Sequence, residues 1–254
     1  MKKTLALLIG FYFAIALPDV SNAAPALDGD KLVKAAVDYW RDRSSYSESK
    51  MTIHRPRWER EMSVKVWTEG DDNALVRFTA PAKDAGNASL TRGNQMWLFT
   101  PNINKIVRVP PSMMHQSWMG SDFSYNDLAK ADDIIEHYDH KIVATTRLDD
   151  KIVYTVESHP HESAPVVWGK EILLIREDFI ILEHAFYDQD GRLTKKLRAA
   201  EIKPLDGKLY ATVIVMEQIE KADTWTRIET STARFGVEIP DVFFTLSNLR
   251  HPRQ

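Results

Sequence analysis

The stretch "RVPPSMMHQSWMGSDFSYNDLAK", Arg108 to Lys130, divides the chain into two long series of predicted strands. Pro110 and Pro111 end the first series, because proline lacks the N–H group that a sheet ladder needs. Large apolar side chains then crowd together, from Met113 to Met119. Connectors usually run over the surface and are polar, so this one is predicted to lie against another apolar surface.

The spacing of apolar residues predicts a helix first and many strands after it. Lys31–Arg43 has helical spacing, with Asp28 or Asp30 as its N-cap. Alternation predicts strands at 47–54, 60–68, 74–79, 89–92, 95–100 and 105–109 before the connector, and at 141–148, 151–158, 168–176, 180–187, 209–219 and 224–235 after it. Short turns such as Asp149-Asp150 and Asp206-Gly207 are typical of hairpins. The series predicts one antiparallel meander that has to curl, followed by a short helix at 241–249.

The predicted strand Leu209–Ile219 is apolar on both faces. Val213 and Val215 share one face with Leu209 and Ala211, whereas the other face holds Tyr210, Ile214 and Met216. A sheet with one solvated face would alternate more cleanly. Helices or a bound ligand could cover the second face, and the pattern does not choose between them.

The N-terminus has the layout of a cleaved secretory signal peptide, residues 1–23. A lysine-containing start precedes the apolar run Leu5–Leu17, and small residues follow a proline. A membrane anchor is the alternative, but the run is shorter than the ~20 residues that a spanning helix needs. Cleavage is expected after Ala23 or Ala24, which leaves a single predicted domain, 24–254.

Composition narrows the functional classes. The chain has 33 basic and 36 acidic residues, a net charge of −3, and no cysteine. It lacks the basic surplus of a nucleic-acid-binding protein. The absence of cysteine excludes disulfides, thiolate metal sites and a lipid-modified N-terminal cysteine. Together with the signal peptide, this composition predicts a soluble periplasmic protein.

The motifs of common catalytic sites are missing. The sequence contains no G-x-S-x-G nucleophile turn and no glycine-rich phosphate loop. His159, His161 and Glu162 could chelate a metal ion, but they match no established metal-site spacing. We therefore predict that the protein is not an enzyme and holds no metal ion and no cofactor.

Two stretches resemble a known family. The hairpin "GNQMWLFTP", Gly93–Pro101, and the segment "MGSDFSYNDL", Met119–Leu128, are similar to the LolA-like group of bacterial outer-membrane lipoprotein-sorting proteins. The second segment resembles the broader subgroup rather than the housekeeping lipoprotein carrier. The motif-level match covers about residues 90–130, and the order of elements fits most of 25–250.

The resemblance implies a mainly β fold with helices. It would be a strongly curved antiparallel sheet, an unclosed half-barrel, with an N-terminal helix and short helices across its concave face. In the carrier proteins the concave interior is apolar and holds acyl chains. Met113, Met114, Trp118 and Met119 would lie on or near a lid, where methionine adapts to variable chains. Ser121 or Asp122 would cap the helix that follows. The alternative is that these side chains only fill a permanent core.

The predicted function is that of a periplasmic carrier. It would bind the acyl chains of a lipid or lipoprotein and pass the cargo toward the outer membrane. The family implies an inner-membrane exporter as a possible partner, and we expect a monomer that binds no nucleic acid. The alternative function is a lipid- or peptide-sensing regulatory module that acts with a membrane partner.

The predicted ligand-binding set combines a cavity and a lid. Trp118 and Met119 are expected to face a cavity shared with Trp97 and Phe99, and Val213 to face it by alternation. The full set is Trp97, Phe99, Met113, Met114, Trp118, Met119, Phe123, Tyr125, Val213 and Val215.

The carrier family holds its lid with one arginine that bonds to carbonyl groups. Arg77, Arg92 and Arg108 are the candidates for that role in this sequence. The motifs do not choose between them.

Overall fold

The structure, a computed structural model, describes residues 27–129 and 133–253. The predicted signal peptide, 1–23, lies outside these residues. The strands are β1 (Ser44–Arg55), β2 (Trp58–Glu69), β3 (Asn73–Ala80), β4 (Ala88–Arg92), β5 (Gln95–Thr100), β6 (Lys105–Arg108), β7 (Tyr138–Leu148), β8 (Lys151–Pro160), β9 (Lys170–Arg176), β10 (Ile181–Tyr187), β11 (Leu193–Leu205), β12 (Lys208–Gln218) and β13 (Trp225–Phe235). The α-helices are α1 (Gly29–Arg41), α2 (Tyr125–Ala129), α3 (Asp133–Glu136) and α4 (Leu246–Arg250).

All 13 strands belong to one antiparallel sheet in the order β6-β5-β4-β3-β2-β1-β13-β12-β11-β10-β9-β8-β7. Its two edge strands, β6 and β7, do not pair with each other. Register shifts interrupt several ladders, for example at Glu48/Ser49 and Ala199/Glu201, and such bulges bend and twist a sheet. The predicted fold class, an unclosed antiparallel sheet with few helices, is confirmed.

The strand order explains where the connector runs. Residues 109–129, which we call the lid, begin directly after β6, and the chain reaches β7 at the opposite edge of the sheet. The connection therefore has to cross one face. The lid lies on the face that carries Phe78 and Thr226, which we call the inner face.

Helix α1 covers the β7–β9 end of the same inner face. Asp28 caps it, because its carboxylate accepts a hydrogen bond from the Asp30 N–H at 3.0 Å. One apolar stripe of the helix, which includes Val33 and Val37, is buried against Val156 and Leu173. The predicted helix is thus present with its predicted cap.

The C-terminal segment covers the opposite, outer face at β3–β5. Phe244 and Leu249 pack there against Leu75 and Leu90. The predicted helix 241–249 is split into a 3-10 turn, Asp241–Phe244, and helix α4. The split occurs because Thr245 is extended and its hydroxyl accepts from the Asn248 N–H at 3.2 Å, which starts a new helix.

No helix within residues 27–129 and 133–253 is long and apolar enough to cross a membrane.

Candidate functional site

An apolar cavity of about 200 Å³ lies on the inner face between α1 and the lid. Strand side chains form one wall, Val37 of α1 contributes a second, and Phe123 of the lid a third. The main apolar groups from the strands are Leu173, Phe186, Leu197, Ile214 and Met216. The cavity exists because the lid and α1 cover the two ends of the inner face and leave the strands β9–β12 between them only partly covered.

A small polar cluster interrupts the apolar wall. The Nε2 atom of His184 lies 2.5 Å from Oε2 of Glu171, and the His184 ring stacks on Phe186. Tyr138 bonds to Glu171 through its hydroxyl, and burial, reinforced by that carboxylate, raises the pKa of Tyr138 far above its usual value. The hydroxyl therefore stays protonated as a donor. These polar groups satisfy one another, so the wall stays compatible with an apolar ligand.

Arg55 holds the lid against the sheet. Its Nη1 donates to the carboxylate of Asp122 at 2.9 Å, and its Nη2 donates to the carbonyl of Gly120 at 2.9 Å. Thr226 of β13 adds two bonds: its hydroxyl donates to Asp122 at 2.6 Å and accepts from the Asp122 N–H at 2.9 Å. The Asp122 side chain is only 4% exposed, so removing its partners would leave a charge buried.

The arginine that holds the lid is therefore none of the three sequence candidates. Arg77 lies on the outer face, where it donates to the carbonyls of Asn248 at 2.7 Å and Leu249 at 3.3 Å. Arg55 was overlooked because it is 67 positions from Asp122 in the sequence, and only the fold brings the two together.

A second ion pair ties the helix of the lid to β11. The Nζ atom of Lys195 lies 2.8 Å and 2.6 Å from the two carboxylate oxygens of Asp127. The Lys195 side chain is 5% exposed and lies 5.0 Å from the ring centroid of Trp168. Ser124, not the predicted Ser121 or Asp122, caps α2: its hydroxyl accepts from the Asp127 N–H, and Asp127 accepts from the Ser124 N–H.

The expected cavity shared by Trp118, Trp97 and Phe99 does not form. Trp97 and Phe99 lie on the outer face of β5, in the cluster that packs against the C-terminal helices. The residues of β5 that face the lid are Met96 and Leu98. The expectation was wrong because both faces of this strand are apolar, and alternation does not say which face is the inner one.

The same error affects β12. Val213 is paired with Glu229 and Val215 with Arg227, so both valines lie on the outer face among charged side chains. Ile214 of the alternate set lines the cavity. Since neighbouring residues of a strand point to opposite faces, the predicted inward orientation of Val213 and Val215 was reversed.

The lid residues of the predicted set fall into three environments. Phe123 lines the apolar cavity. Met113 is exposed. The others pack into the core over β1–β5, and these are Met114, Trp118, Met119 and Tyr125. The structure thus places Phe123 at the cavity and most of the lid in a packed core.

Trp118 is the centre of that packed region. It is 4% exposed, its ring lies 5.3 Å from that of Phe78, and its Nε1 donates to the Ser89 hydroxyl at 2.9 Å. A buried, hydrogen-bonded tryptophan of this kind contributes mainly to stability.

Sequence reasoning missed most residues of the cavity wall. Phe186 and Leu197 lie on strands, and Trp168 on the loop before β9, and none of these segments carries a family motif. The one signal in the sequence is the second apolar face of β12, with Tyr210, Ile214 and Met216, three residues that do line the cavity.

No three His, Asp or Glu side chains in 27–129 and 133–253 are arranged to hold a metal ion. His159 lies in β8, and its Nε2 is 2.6 Å from the Glu157 carboxylate. His161 pairs with Asp139 at 3.3 Å. Both histidines lie beside surface carboxylates.

Comparisons with known proteins place the chain in a family. A family model with the description "-like: Uncharacterized protein" matches residues 70–251. No curated protein sequence matches the chain.

Solved structures share the fold over nearly their whole length. A DUF1329 family protein from Desulfovibrio piger is 27% identical, with a TM-score of 0.78, and the match covers 87% of this chain and 97% of that one. A Vibrio parahaemolyticus domain named for outer membrane lipoprotein sorting is 22% identical, with a TM-score of 0.76 and coverage of 87% and 98%. A LolA superfamily protein from Nitrosomonas europaea is 23% identical, with a TM-score of 0.72 and coverage of 87% and 99%.

Proposed function

Because the chain belongs to the family whose model matches residues 70–251 and has the LolA-like fold, we propose that it is a periplasmic carrier that binds acyl chains. The cargo would be a lipid or a lipoprotein, passed toward the outer membrane. The name of the Vibrio domain, which refers to outer membrane lipoprotein sorting, supports this class of cargo. A cleaved signal at 1–23 and a single domain over 24–254 are part of the proposal.

The observation that carries the proposal is the apolar cavity on the inner face. Its wall consists largely of aliphatic and aromatic side chains, such as Leu173, Ile214 and Met216. Transfer of an acyl chain from water into such a site gains ~0.8 kcal/mol for each buried methylene group. A few buried carbons therefore give measurable affinity without any specific polar contact.

The lid supplies a means of release. Beside the cavity, beyond the packed Trp118, the lid is held to the strands by the Arg55–Asp122 and Lys195–Asp127 pairs rather than by a continuous sheet ladder. A segment held by a few side-chain bonds opens more easily than paired strands do. We propose that cargo leaves when these pairs separate, at a membrane or at a partner such as an inner-membrane exporter.

The proposed carrier does not modify its cargo. The described residues that line the cavity include no serine, threonine or cysteine that could act as a nucleophile. The His184–Glu171 pair bonds internally and to Tyr138, as expected of polar groups that satisfy one another in an apolar wall. Carriage without chemistry fits this arrangement.

The experiment is to purify the mature protein from the periplasm and identify lipids that co-purify with it by mass spectrometry. We expect intact acyl-bearing molecules and a mature N-terminus near Ala24 or Pro25. Ligand-free protein that binds no fluorescent fatty acid, or a ligand that is converted during incubation, would contradict the proposal.

A further inference from the structure

A second, polar cavity adjoins the apolar one beneath the lid. It has a volume of about 510 Å³ and is lined by hydroxyl, amide and charged groups. The two cavities share the lining residues Phe123, Asn126, Asp127, Val167 and Trp168. They are therefore adjacent compartments, one apolar and one polar, separated by the same side chains.

Strand β12 runs past both compartments. Tyr210, Ile214 and Met216 line the apolar cavity, and Gln218, the next residue on the inner face, lines the polar one. A strand advances ~3.3 Å per residue, so the apolar compartment extends roughly 20 Å along β12 before the polar one begins. A molecule with a long apolar chain and a polar head would find each part matched if it lay parallel to this strand.

The charges of the polar compartment favour an anion. Arg55, Lys195 and Lys221 line it, together with the carboxylates of Asp122 and Asp127. Arg55 and Lys195 are each paired with one of these carboxylates. Lys221 is exposed and forms no ion pair with a carboxylate in the described part of the chain.

The uncharged groups point the same way. Ser117, Ser121, Ser124, Thr194 and Thr224 supply hydroxyl groups to the lining. Four of these hydroxyls already donate to backbone carbonyls, whereas the Ser124 hydroxyl accepts from the Asp127 N–H and keeps its own O–H as a donor. That O–H and the side-chain amides of Asn126 and Gln218 can donate to phosphate oxygens, and hydrogen bonds to charged acceptors are the stronger kind. The ionised side chains of the lining, Arg55, Lys195, Lys221, Asp122 and Asp127, carry a net charge of +1, so an anionic group gains more here than a neutral one.

We propose that the polar cavity binds the phosphate-type headgroup of an amphiphile whose acyl chain lies in the apolar cavity. This inference rests on the proposed carrier function and specifies its cargo: a molecule with an anionic phosphate head rather than an uncharged lipid. A free phosphate ion has the same chemistry as the head, so the test has to separate the two sources.

The experiment compares probes with one chain and different heads. Dodecyl phosphate, dodecyl maltoside and inorganic phosphate are titrated into the mature protein below the concentrations at which the detergents form micelles, with calorimetry as the readout. We expect dodecyl phosphate to bind at least about tenfold more tightly than dodecyl maltoside, because a charge-assisted bond replaces a neutral one. Inorganic phosphate alone should bind far more weakly than dodecyl phosphate, because it lacks the chain.

Lys221→Glu is the informative variant, since Lys221 is exposed and its replacement should not affect folding. We expect it to abolish the preference for the phosphate head and to leave the affinity for dodecyl maltoside unchanged. Lys83→Glu is the matched control, because Lys83 is also exposed, lines neither cavity and undergoes the same change of charge. It should behave as the wild type does.

The outcomes separate this inference from the carrier proposal. Equal affinity for the two detergents, unaffected by Lys221→Glu, would overturn the headgroup site and leave the carrier function standing. Inorganic phosphate that binds as tightly as dodecyl phosphate would also overturn it, because the site would then serve free anions. Failure of both detergents to bind would overturn the headgroup site and the carrier function together.

Discussion

The inner face of one sheet is filled over β1–β5 and open over β9–β12. Over β1–β5 the lid packs Trp118 onto Phe78, and the lid side chains complete a core. Over β9–β12 similar apolar strand residues, such as Ile214 and Met216, face a cavity. The strands of the two regions are alike in composition. The difference lies in what covers them, because the lid inserts its bulky groups on one side only.

This comparison answers why the connector is so rich in methionine and tryptophan. Met114, Trp118 and Met119 are used for packing the filled region, which fixes the lid in place. The lid can then bridge the open region with Phe123 alone from the predicted set. Ligand space is thus created by the strands and only bounded by the lid.

The largest expected effect is in the filled region. Trp118→Ala should lower the free energy of unfolding by ~3–5 kcal/mol, as large-to-small changes at buried aromatic positions do. Ligand affinity per folded molecule should stay unchanged. Urea denaturation and titration with a fluorescent fatty acid measure the two quantities. Lost binding with unchanged stability would mean that Trp118 faces the ligand and that the filled region is not a permanent core.

A charge placed in the open region should act on binding instead. Ile214→Lys should weaken fatty-acid binding by roughly two orders of magnitude or more, because a buried ammonium without a partner costs several kcal/mol. Val213→Lys is the matched control one residue away on β12. It lies on the outer face opposite Glu229 and is itself buried, so this variant should lose stability, but its ammonium points away from the cavity and binding per folded molecule should persist.

If Val213→Lys abolished binding and Ile214→Lys did not, the assignment of the two faces would be wrong. Thermal unfolding of both variants checks that each is folded before its affinity is compared.

The Arg55–Asp122 ion pair, which holds the lid against the sheet, should control access to the open region without disturbing the filled one. Arg55→Gln removes the ion pair with Asp122, and bonds to charged groups contribute ~1.5–3 kcal/mol. We expect ligand to dissociate about tenfold faster or more, while the Trp118 side chain stays packed. Stopped-flow displacement gives the rate, and tryptophan fluorescence reports the packing.

Arg55→Lys keeps the charge but loses the forked geometry that reaches both Asp122 and Gly120, so it should give an intermediate rate. An unchanged dissociation rate in both variants would show that ligand leaves by a path that does not require the lid.

The smallest effect concerns the pH dependence of stability at the end of the sheet that α1 covers. His140 bonds to the Ser158 hydroxyl and to the Ile134 carbonyl, and burial lowers its pKa below 6.5. The folded state therefore disfavours the protonated ring. The contribution of neutral His140 to the free energy of unfolding is fully present above pH 6.5. It is lost as the pH falls through the lower pKa of the folded state.

The measurement is the free energy of unfolding of wild type and His140→Gln as a function of pH. We expect the wild type to lose stability more steeply below pH 6.5 than the variant does. The contribution of His54, on the outer face, should depend on pH in the opposite direction, because hydrogen bonds to Asp223 and Glu59 raise its pKa. Parallel curves for wild type and His140→Gln would contradict the assigned role of His140.

Local patterns predicted the elements well because the interactions that create them are local. Helix α1 with its Asp28 cap and the hairpin at Asp149-Asp150 follow from neighbouring residues, and both aspartates of that turn have positive φ angles. The position of the connector as a lid follows from the family resemblance. The site was predicted less well, since only Phe123 of the predicted set lines the apolar cavity.

Sequence by itself determined the antiparallel meander, the N-terminal helix and an apolar connector that had to lie on a face of the sheet. It could not decide which face of β5 or β12 is the inner one, because Trp97 and Met96, or Val213 and Ile214, are equally apolar. Pairing across distant strands and the bend of the sheet made that choice. The same long-range pairing brought Arg55 to Asp122 across 67 positions. Alternation is a local property, whereas curvature and the course of the lid belong to the whole sheet, so only the tertiary structure could separate the filled region from the open one.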